Sequence, residues 1–225
     1  MYARKVGERT LTLGVSGQLW RDVLVLYDRE TDSRWTQLSG KAIDGPLTGA
    51  ALQEIPSEVT TWAEWKARHK HTAVLKKTEP VGPAYMGYAA NRDMLGILGT
   101  QNPDRRLPGK ELVFGVSLPG GRAVAAVASR LEQEGALMIR AGEEAVLLAV
   151  SPSGGVLAHL LPPGTQAVER LGKTKWKLDG SVVDILTGKV LKGPGRGQTL
   201  QRVAVKRSYW FAWVAFYPGS EIVGL

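Results

Sequence analysis

The sequence contains no cysteine, which excludes disulfides, thiolate zinc sites, iron–sulfur ligation and cysteine nucleophiles. It also lacks long apolar runs, since no stretch approaches the ~20 residues that a transmembrane helix needs. Residues 1–10 contain no apolar segment typical of a signal peptide. The 225 residues are 44% hydrophobic and 22% charged, which is an ordinary globular composition. We therefore expect a folded chain with no membrane span, and this composition leaves its localisation unknown.

Acidic residues are the scarcer charge, with 21 Asp and Glu against 29 Lys and Arg, and the formal net charge is +8. Between Glu169 and Arg207, ten basic residues face three acids, so this stretch alone carries +7. A regional excess is typical of a surface that binds a polyanion such as nucleic acid. It is also typical of a lysine-covered, solvated sheet, and we favour that interpretation. The candidate polyanion contacts are Lys173, Lys175, Lys177, Lys192, Arg196, Lys206 and Arg207.

Residues 31–75 align with residues 179–223 at a constant spacing of 148 residues, without a gap and with twelve identities. We call these stretches the first segment and the second segment. The identities include two tryptophan pairs, Trp62 with Trp210 and Trp65 with Trp213. We interpret the match as an internal duplication. It predicts a strand-dominated α+β fold with two related lobes.

Each segment has the same local pattern of short strands, a glycine turn, a Gly-Pro loop and a tryptophan-bearing helix. In the first segment, Thr61 and Glu64 fit a capping box, and Glu64 and Arg68 are spaced for an i,i+4 ion pair. In the second segment, Tyr209–Phe216 is apolar on every side. Such a helix is buried on every face or meets another chain, so we name it as a candidate surface for a protein partner or self-association.

The repeat and the composition divide the chain into three parts. Residues 1–75 form the back half of a first repeat unit, residues 76–109 a connector rich in Pro and Gly, and residues 110–225 the rest of a second unit. The three parts can form one compact domain. A 148-residue unit from about residue 76 to 223 is whole, whereas the first unit would begin some seventy residues before Met1 and is therefore incomplete.

The third part contains a clear series of predicted elements. We expect strands over residues 111–118 and 122–128, joined by a Pro-Gly-Gly turn. Residues 129–134 form either a short helix or the end of a helix that starts near Val124. Three more strands follow over residues 136–140, 145–150 and 155–161.

Several motifs resemble the bacterial and archaeal family known as domain of unknown function 3179. They are Leu13-Gly-Val-Ser-Gly17, Tyr27-Asp-Arg-Glu-Thr-Asp-Ser-Arg-Trp-Thr-Gln37, Gly45-Pro-Leu-Thr-Gly49, Trp62-Ala-Glu-Trp65, Pro83-Ala-Tyr-Met-Gly-Tyr88, Arg106-Leu-Pro-Gly-Lys-Glu111 and Tyr209-Trp-Phe-Ala-Trp213 with Phe216-Tyr-Pro218. The resemblance covers nearly the whole chain and implies no established activity. It implies an exported or lipid-anchored location and, ahead of the matching segment, a Cys-Pro-x-Cys motif and a His-Glu pair, whereas this sequence has no cysteine.

A polar cluster around one tryptophan is the candidate ligand site: Asp28, Arg29, Ser33, Trp35 and Gln37. The second segment has Val183 and Ile185 where the first has Trp35 and Gln37, so these polar residues are not required by the shared scaffold. With Tyr85 and Tyr88 on the connector, they can line a pocket between lobes. The alternative is a buried hydrogen-bond network that fixes the strand.

The sequence offers only a weak metal candidate, His69 with His71, because no third ligand is evident and His69 aligns with Tyr217. We predict no cofactor. Three functions stay open. The first is a non-catalytic ligand- or protein-binding module or assembly subunit, which we favour. The second is an enzyme acting on a small or saccharide-like substrate through the Asp28–Gln37 cluster, and the third is polyanion binding through residues 170–207.

Overall fold

The computed structural model describes residues 1–76, 86–100, 104–118 and 121–225. These residues form eighteen strands: β1 (Lys5–Val6), β2 (Arg9–Thr10), β3 (Leu13–Trp20), β4 (Val23–Asp28), β5 (Arg34–Thr36), β6 (Ala42–Asp44), β7 (Leu112–Ser117), β8 (Ala123–Val127), β9 (Ala136–Ala141), β10 (Glu144–Val150), β11 (Val156–Leu160), β12 (Val168–Arg170), β13 (Lys175–Leu178), β14 (Ser181–Asp184), β15 (Val190–Lys192), β16 (Arg202–Val203), β17 (Lys206–Tyr209) and β18 (Glu221–Val223). The four helices are α1 (Trp62–Arg68), α2 (Met86–Ala90), α3 (Ala128–Glu134) and α4 (Trp210–Phe216). Among the described residues, no helix has the length and apolar character to cross a membrane.

The strands form four four-stranded sheets and one two-stranded hairpin, β1–β2, within the described residues. Two sheets are antiparallel meanders, β3–β4–β5–β6 and β12–β13–β14–β15. A third has the order β16–β11–β10–β9, and the fourth β17–β7–β8–β18. In the fourth, the β8–β18 pair is parallel and the other two are antiparallel. The fold is thus α+β and strand-dominated, as the sequence predicts.

The series of elements predicted for residues 111–161 is confirmed. The two predicted strands of the hairpin are β7 and β8, which pair antiparallel, the predicted helix is α3, and the last three predicted strands are β9, β10 and β11. The predicted turn at Pro119 and Gly120 lies outside the described residues. Helix α3 ends at Gly135, whose φ of +76° allows the left-handed C-terminal cap that glycine adopts without strain. Hydrophobic side chains of β7, β8, α3, β9, β10 and β11 pack into one core cluster. Local sequence signals were sufficient here because the elements follow one another and pair with their neighbours.

Helix α4 lies in the interior of the chain. Trp210 and Trp213 are fully buried and pack with Val113 and Ala125 of the β7–β8 hairpin. Its other side, including Ala212, packs against Val23 and Leu38 of the N-terminal part. The expectation that Tyr209–Phe216 offers a surface for partners is therefore wrong, because this chain covers the helix on both sides.

The backbone repeats its hydrogen bonds at the 148-residue spacing. Strands β6 and β15, and helices α1 and α4, occupy positions that differ by this number. In the first segment Ala42 N donates to Ala50 O at 2.9 Å, and in the second Val190 N donates to Gln198 O at 2.9 Å. Likewise, Gly49 N donates to Ala42 O at 3.0 Å, and Gly197 N donates to Val190 O at 2.9 Å. The single bridges Lys41↔Ala51 and Lys189↔Thr199 obey the same spacing. The two segments therefore share their local backbone structure.

The backbone carbonyls of Gln37 and Ile185 lie at equivalent positions of the two segments, but each accepts a hydrogen bond from a different kind of side chain. The Gln37 carbonyl accepts a hydrogen bond from the Tyr2 hydroxyl at 2.9 Å. The Ile185 carbonyl accepts one from Nε2 of the buried His159 at 2.7 Å. Burial lowers the pKa of His159, so the imidazole serves here as a neutral donor in the core. These bonds explain why a lone histidine lies in an apolar strand.

The connector contacts both parts of the chain. Its backbone at Ile97 and Leu98 donates hydrogen bonds to Asp22 Oδ1, at 2.8 and 2.9 Å. Arg106 forms an ion pair with Asp104 at 2.6 Å and donates to the Ser220 carbonyl at 2.8 Å. The connector is thereby bound to the N-terminal part at Asp22 and to the turn after α4 at Ser220.

Candidate functional site

The polar cluster predicted as a ligand site is a buried hydrogen-bond network at the end of β4. The Asp28 carboxylate accepts bonds from Trp35 Nε1 at 2.9 Å, Thr31 N at 2.6 Å and Thr31 Oγ1 at 2.8 Å. Ser33 Oγ bonds the Thr31 hydroxyl at 2.7 Å and accepts from Leu47 N at 3.0 Å. Asp28, Ser33 and Trp35 have no exposed surface. A ligand that used these groups would have to displace bonds already made.

The electrostatics of Asp28 fit this internal role. Burial disfavours its ionised form, but the hydrogen bonds from Trp35 and Thr31 outweigh burial and lower the pKa below the ordinary value of aspartate. The carboxylate is therefore held as an anion by fixed donors, which stabilises the turn between β4 and β5.

The other members of the predicted ligand cluster are dispersed. Arg29 and Gln37 are exposed. Tyr88 lies on α2, where its ring contacts the Lys110 ammonium at 3.7 Å and its hydroxyl accepts a bond from Gly96 N at 3.0 Å. Tyr85 lies outside the described residues. The structure therefore brings Asp28, Ser33 and Trp35 together but does not add Tyr88 to them.

A charged seam that sequence reasoning missed joins the first and second segments. Lys206 Nζ bonds the Glu54 carboxylate and the Tyr217 hydroxyl, the latter at 2.8 Å. Arg202 Nη2 lies 3.1 Å from Glu58 Oε2. Because residues 54 and 202, and residues 58 and 206, are both 148 apart, the two ion pairs are exchanged copies of one contact. This reciprocity is typical of two like units packed about a twofold axis.

Glu58 is the most enclosed carboxylate of the seam, with its side chain 3% exposed. Burial raises its pKa, but Arg68 and Arg202 outweigh that effect and the net shift is downward. Arg68 reaches Glu58 from α1, so the same carboxylate fixes the helix and joins the segments. The sequence does contain a signal for this seam. The first segment has Glu54 and Glu58 where the second segment has the oppositely charged Arg202 and Lys206 at the equivalent positions.

A cleft of about 630 Å³ borders the seam and is lined by Glu54, Ser117 and Tyr217, among others. Lys206 is bonded to these lining residues, with Ser117 Oγ at 3.5 Å as a third oxygen partner of the ammonium. An ammonium has three N–H donors, so the donors of Lys206 are directed to protein oxygens. The cleft thus has a largely apolar lining, which includes Trp20, Ile43 and Phe216, and the Lys206 ammonium beside it is bound by protein oxygens.

The predicted polyanion contacts are divided between two sheets. Lys175, Lys177 and Lys192 are exposed and share one face of the β12–β15 meander. Glu169 lies on the same face, 3.7 Å from Lys177. Lys206 does not belong to this face, since it is bound in the seam. The remaining candidates, Lys173, Arg196 and Arg207, are exposed.

The two histidines predicted as a weak metal pair have different surroundings. The ring of His69 packs on Trp65 at 4.0 Å between centroids, and Tyr217 at the equivalent position packs on Trp213 at 4.2 Å. His71 is exposed. Within the described ranges, no three His, Cys, Asp or Glu side chains form a group that could hold a metal ion.

The largest difference between the segments is the apolar surface beside α1. Trp62 is 51% exposed, Val74 66% and Leu75 84%, whereas Trp210, which occupies the equivalent position to Trp62, is fully buried. Helix α1 has no buried residue, whereas five of the seven residues of α4 are buried. We call Trp62, Trp65, Val74 and Leu75 the α1 face. The sequence alone predicts that the two helices differ, because Tyr209–Phe216 is apolar on every side, but the exposure of Trp62 depends on the fold.

In the part of the chain that the structure describes, these features define a strand-dominated α+β protein with two locally alike segments, a charged seam between them and an exposed apolar surface at α1. A family model described as "Protein of unknown function (DUF3179)" matches residues 1–220, and the chain belongs to this family. Neither the search of curated proteins nor that of solved structures found a match.

Proposed function

We propose that this protein is a non-catalytic protein-binding module whose binding surface is the α1 face. The observation that carries the proposal is the exposure of Trp62, Val74 and Leu75, in and after a helix that has no buried residue and whose Trp65 is hydrogen-bonded to Thr72. A contiguous apolar patch on a folded protein is typical of an interaction site. Tryptophan is also the side chain most enriched among residues that dominate interface energy.

The state of the polar clusters supports a non-catalytic role. Catalysis by general acids, bases or nucleophiles requires groups that can reach a substrate. Asp28 is fully buried with its donors in place, and Lys206 is bound to Glu54 and Tyr217. Both clusters therefore serve the fold.

The two segments, in this proposal, descend from one duplicated unit. Their common backbone bonds and the exchanged ion pairs of the seam support a shared origin. A common origin also explains the apolar character of the α1 face. The equivalent tryptophan of the second segment, Trp210, is buried within the chain, whereas Trp62 is exposed.

Site-specific photocrosslinking tests the function. A photoreactive phenylalanine analogue replaces Trp62 in one variant and Leu171 in a control, since Leu171 is also exposed but lies outside the α1 face. We expect the probe at position 62 to form a crosslinked adduct with one partner protein. The substitution Val74→Asp should abolish this adduct, and mixing the protein with the purified partner should form it again. Equal labelling from both positions, or labelling that Val74→Asp does not change, would contradict the proposal.

Polyanion binding is a second candidate, favoured by the three lysines that share the exposed face of the β12–β15 meander. Such binding weakens steeply with salt because condensed counterions are released. Glu169 on the same face reduces the local positive charge, and this is why we rank it second.

A further inference from the structure

A cleft of about 380 Å³ lies beside the β12–β15 meander of the second segment, and we call it the meander cleft. It is lined by apolar side chains and by parts of two loops, namely Val183, Val190, Leu200, residues 162–165 and residues 194–195. Small-molecule sites have volumes in this range and are mostly apolar, with a few polar groups that orient the ligand. The meander cleft therefore has the size and lining of such a site.

The equivalent region of the first segment is filled by an indole ring. Trp35 has no exposed surface and packs in one cluster with Ala42 and Leu52. It is paired with Ala42 between β5 and β6. At the spacing of 148 residues Val183 stands in the place of Trp35, and it is paired with Val190 between β14 and β15. The smaller valine leaves open the surface that the tryptophan ring covers.

The Gly-Pro loops of the two segments differ by the flip of one peptide unit. In the first segment, Leu47 N donates to Ser33 Oγ at 3.0 Å. In the second segment, the Ser181 hydroxyl donates to the Pro194 carbonyl at 2.7 Å, so the same peptide unit presents its oxygen instead of its N–H. Gly195 has a φ of +75°, as the glycine of a type II turn does. A residue without a side chain thus replaces a leucine that packs on the tryptophan cluster, which widens the meander cleft.

Most polar groups that line the meander cleft are bonded within the chain. The Thr165 hydroxyl donates to the Pro162 carbonyl at 2.8 Å, and Asp179 Oδ1 accepts a bond from Ala167 N at 2.9 Å. Gln198 differs, because it is exposed and its side-chain amide has no hydrogen-bond partner in the part of the chain that the structure describes. A ligand is therefore held by apolar contact, with one amide available for a polar contact.

We infer that the meander cleft binds a small planar aromatic molecule of about the size of indole. The ring packs on Val183, Val190 and Leu200, in the place that the Trp35 ring takes in the first segment. A polar group of the molecule bonds the amide of Gln198, which can both donate and accept. The cleft shares no residue with the α1 face, so this binding is independent of the proposed function.

The probe is indole, titrated into the intact protein and followed by ¹H–¹⁵N NMR of the backbone amides. We expect saturable shifts at Val183, Val190 and Gln198, with a dissociation constant of roughly 1 mM or below for a ligand of this size. Phenol and cyclohexanol form a matched pair of competitors, since only phenol has a planar ring. Phenol is expected to compete with indole for the cleft, whereas cyclohexanol at the same concentration is not.

Variants at two exposed glycines test the location of the site. Gly180 and Pro194 both line the cleft, and a Cβ at Gly180 would lie at an ordinary contact distance of 3.8 Å from Pro194 Cδ. Gly180→Leu therefore keeps the fold, narrows the cleft and is expected to weaken indole binding at least roughly tenfold. Gly172→Leu is the matched control, because a Cβ there meets open space outside the cleft, and it should leave the affinity unchanged. Val183→Trp fills the cleft from within and should abolish binding, and circular dichroism checks that all three variants are folded.

A planar aromatic site is ruled out if indole causes no saturable shift, or if the shifts lie away from the residues that line the meander cleft. It is equally ruled out if cyclohexanol competes as well as phenol, or if Gly180→Leu and Gly172→Leu bind indole with the same affinity. A tryptophan-containing peptide that binds the cleft when free indole does not would refute a small molecule as the ligand. Crosslinking at position 62 reports on a different surface, so its failure would leave the indole titration standing.

Discussion

Replacing Asp28 by asparagine tests whether the buried network is structural. Asparagine keeps one carbonyl oxygen but brings an NH₂ group where a second oxygen accepted a bond. In the variant, the NH₂ group therefore points at a group that is itself a donor. The donors around this position are Trp35 Nε1, Thr31 N and Thr31 Oγ1. Hydrogen bonds to a charged group contribute about 1.5–3 kcal/mol each, and an unsatisfied buried group costs about 1–3 kcal/mol.

The expected loss in the free energy of unfolding is about 3 kcal/mol for Asp28→Asn. For a chain of this size, 1 kcal/mol shifts the melting temperature by about 2–4 °C, so the variant should melt roughly 6–12 °C lower. Calorimetry or urea unfolding followed by tryptophan fluorescence measures it. Glu30→Gln is the control, because Glu30 is exposed and accepts a bond from Thr12 N at 2.7 Å, and it should change the melting temperature little.

The pH dependence of this loss gives a second test. The pKa of Asp28 is lower in the folded state than in the unfolded state. The ionised carboxylate therefore contributes its full share to the free energy of unfolding above the unfolded pKa of about 3.9, and this share is lost as the pH falls through the folded pKa. The difference between wild type and Asp28→Asn should therefore narrow below about pH 4. A variant as stable as wild type at pH 7, or a difference that does not change with pH, would refute the structural role of the carboxylate.

Three further predictions concern the seam, the α4 core and the lysine face. Glu58→Gln should lower the free energy of unfolding by about 2 kcal/mol, because two arginines lose a buried carboxylate; an unchanged urea midpoint would contradict this. Gly115→Ala should destabilise by about 2–3 kcal/mol, since its Cβ meets Trp213, whereas Gly172→Ala has open space and should be neutral in the same assay. If the three lysines of the β12–β15 meander bind polyanions, Lys177→Glu should reduce by about 1–2 the slope of the logarithm of the binding constant for duplex DNA against the logarithm of the salt concentration. A wild-type binding constant that does not change with salt would reject that function.

Much of the fold could be predicted because its signals are local. The hairpin β7–β8 follows from two apolar runs around Pro119-Gly-Gly121, and α1 begins where Thr61 Oγ1 accepts the Glu64 backbone N–H at 3.3 Å. The packing role of His69 also followed from its alignment with Tyr217. Each of these depends on residues near in sequence or on the repeat itself.

The site could be predicted only in part, because it depends on distant contacts. Whether Asp28 faces a ligand or the core is decided by the indole of Trp35, and the sequence left both alternatives open. The Glu58–Arg202 contact joins residues 144 apart, and it exists only because the two segments dock against each other. Burial of α4 likewise depends on Val23 and Leu38, which no local pattern connects to it.

The compositions of the two tryptophan helices agree with the number of surfaces that each must meet. Ala212 and Phe216 pack toward the N-terminal part of the chain, and the residues at the equivalent positions of α1 are Glu64 and Arg68. A charged pair at 3.4 Å on that side of α1 means that only the tryptophan side needs an apolar cover. Helix α4 is apolar all round because it lies between a hairpin and another lobe. Helix α1 is amphipathic: its charged side is bound to Glu58 of the seam, and on its other side Trp62 is exposed, which is the arrangement expected of a helix that packs on the protein through one side only.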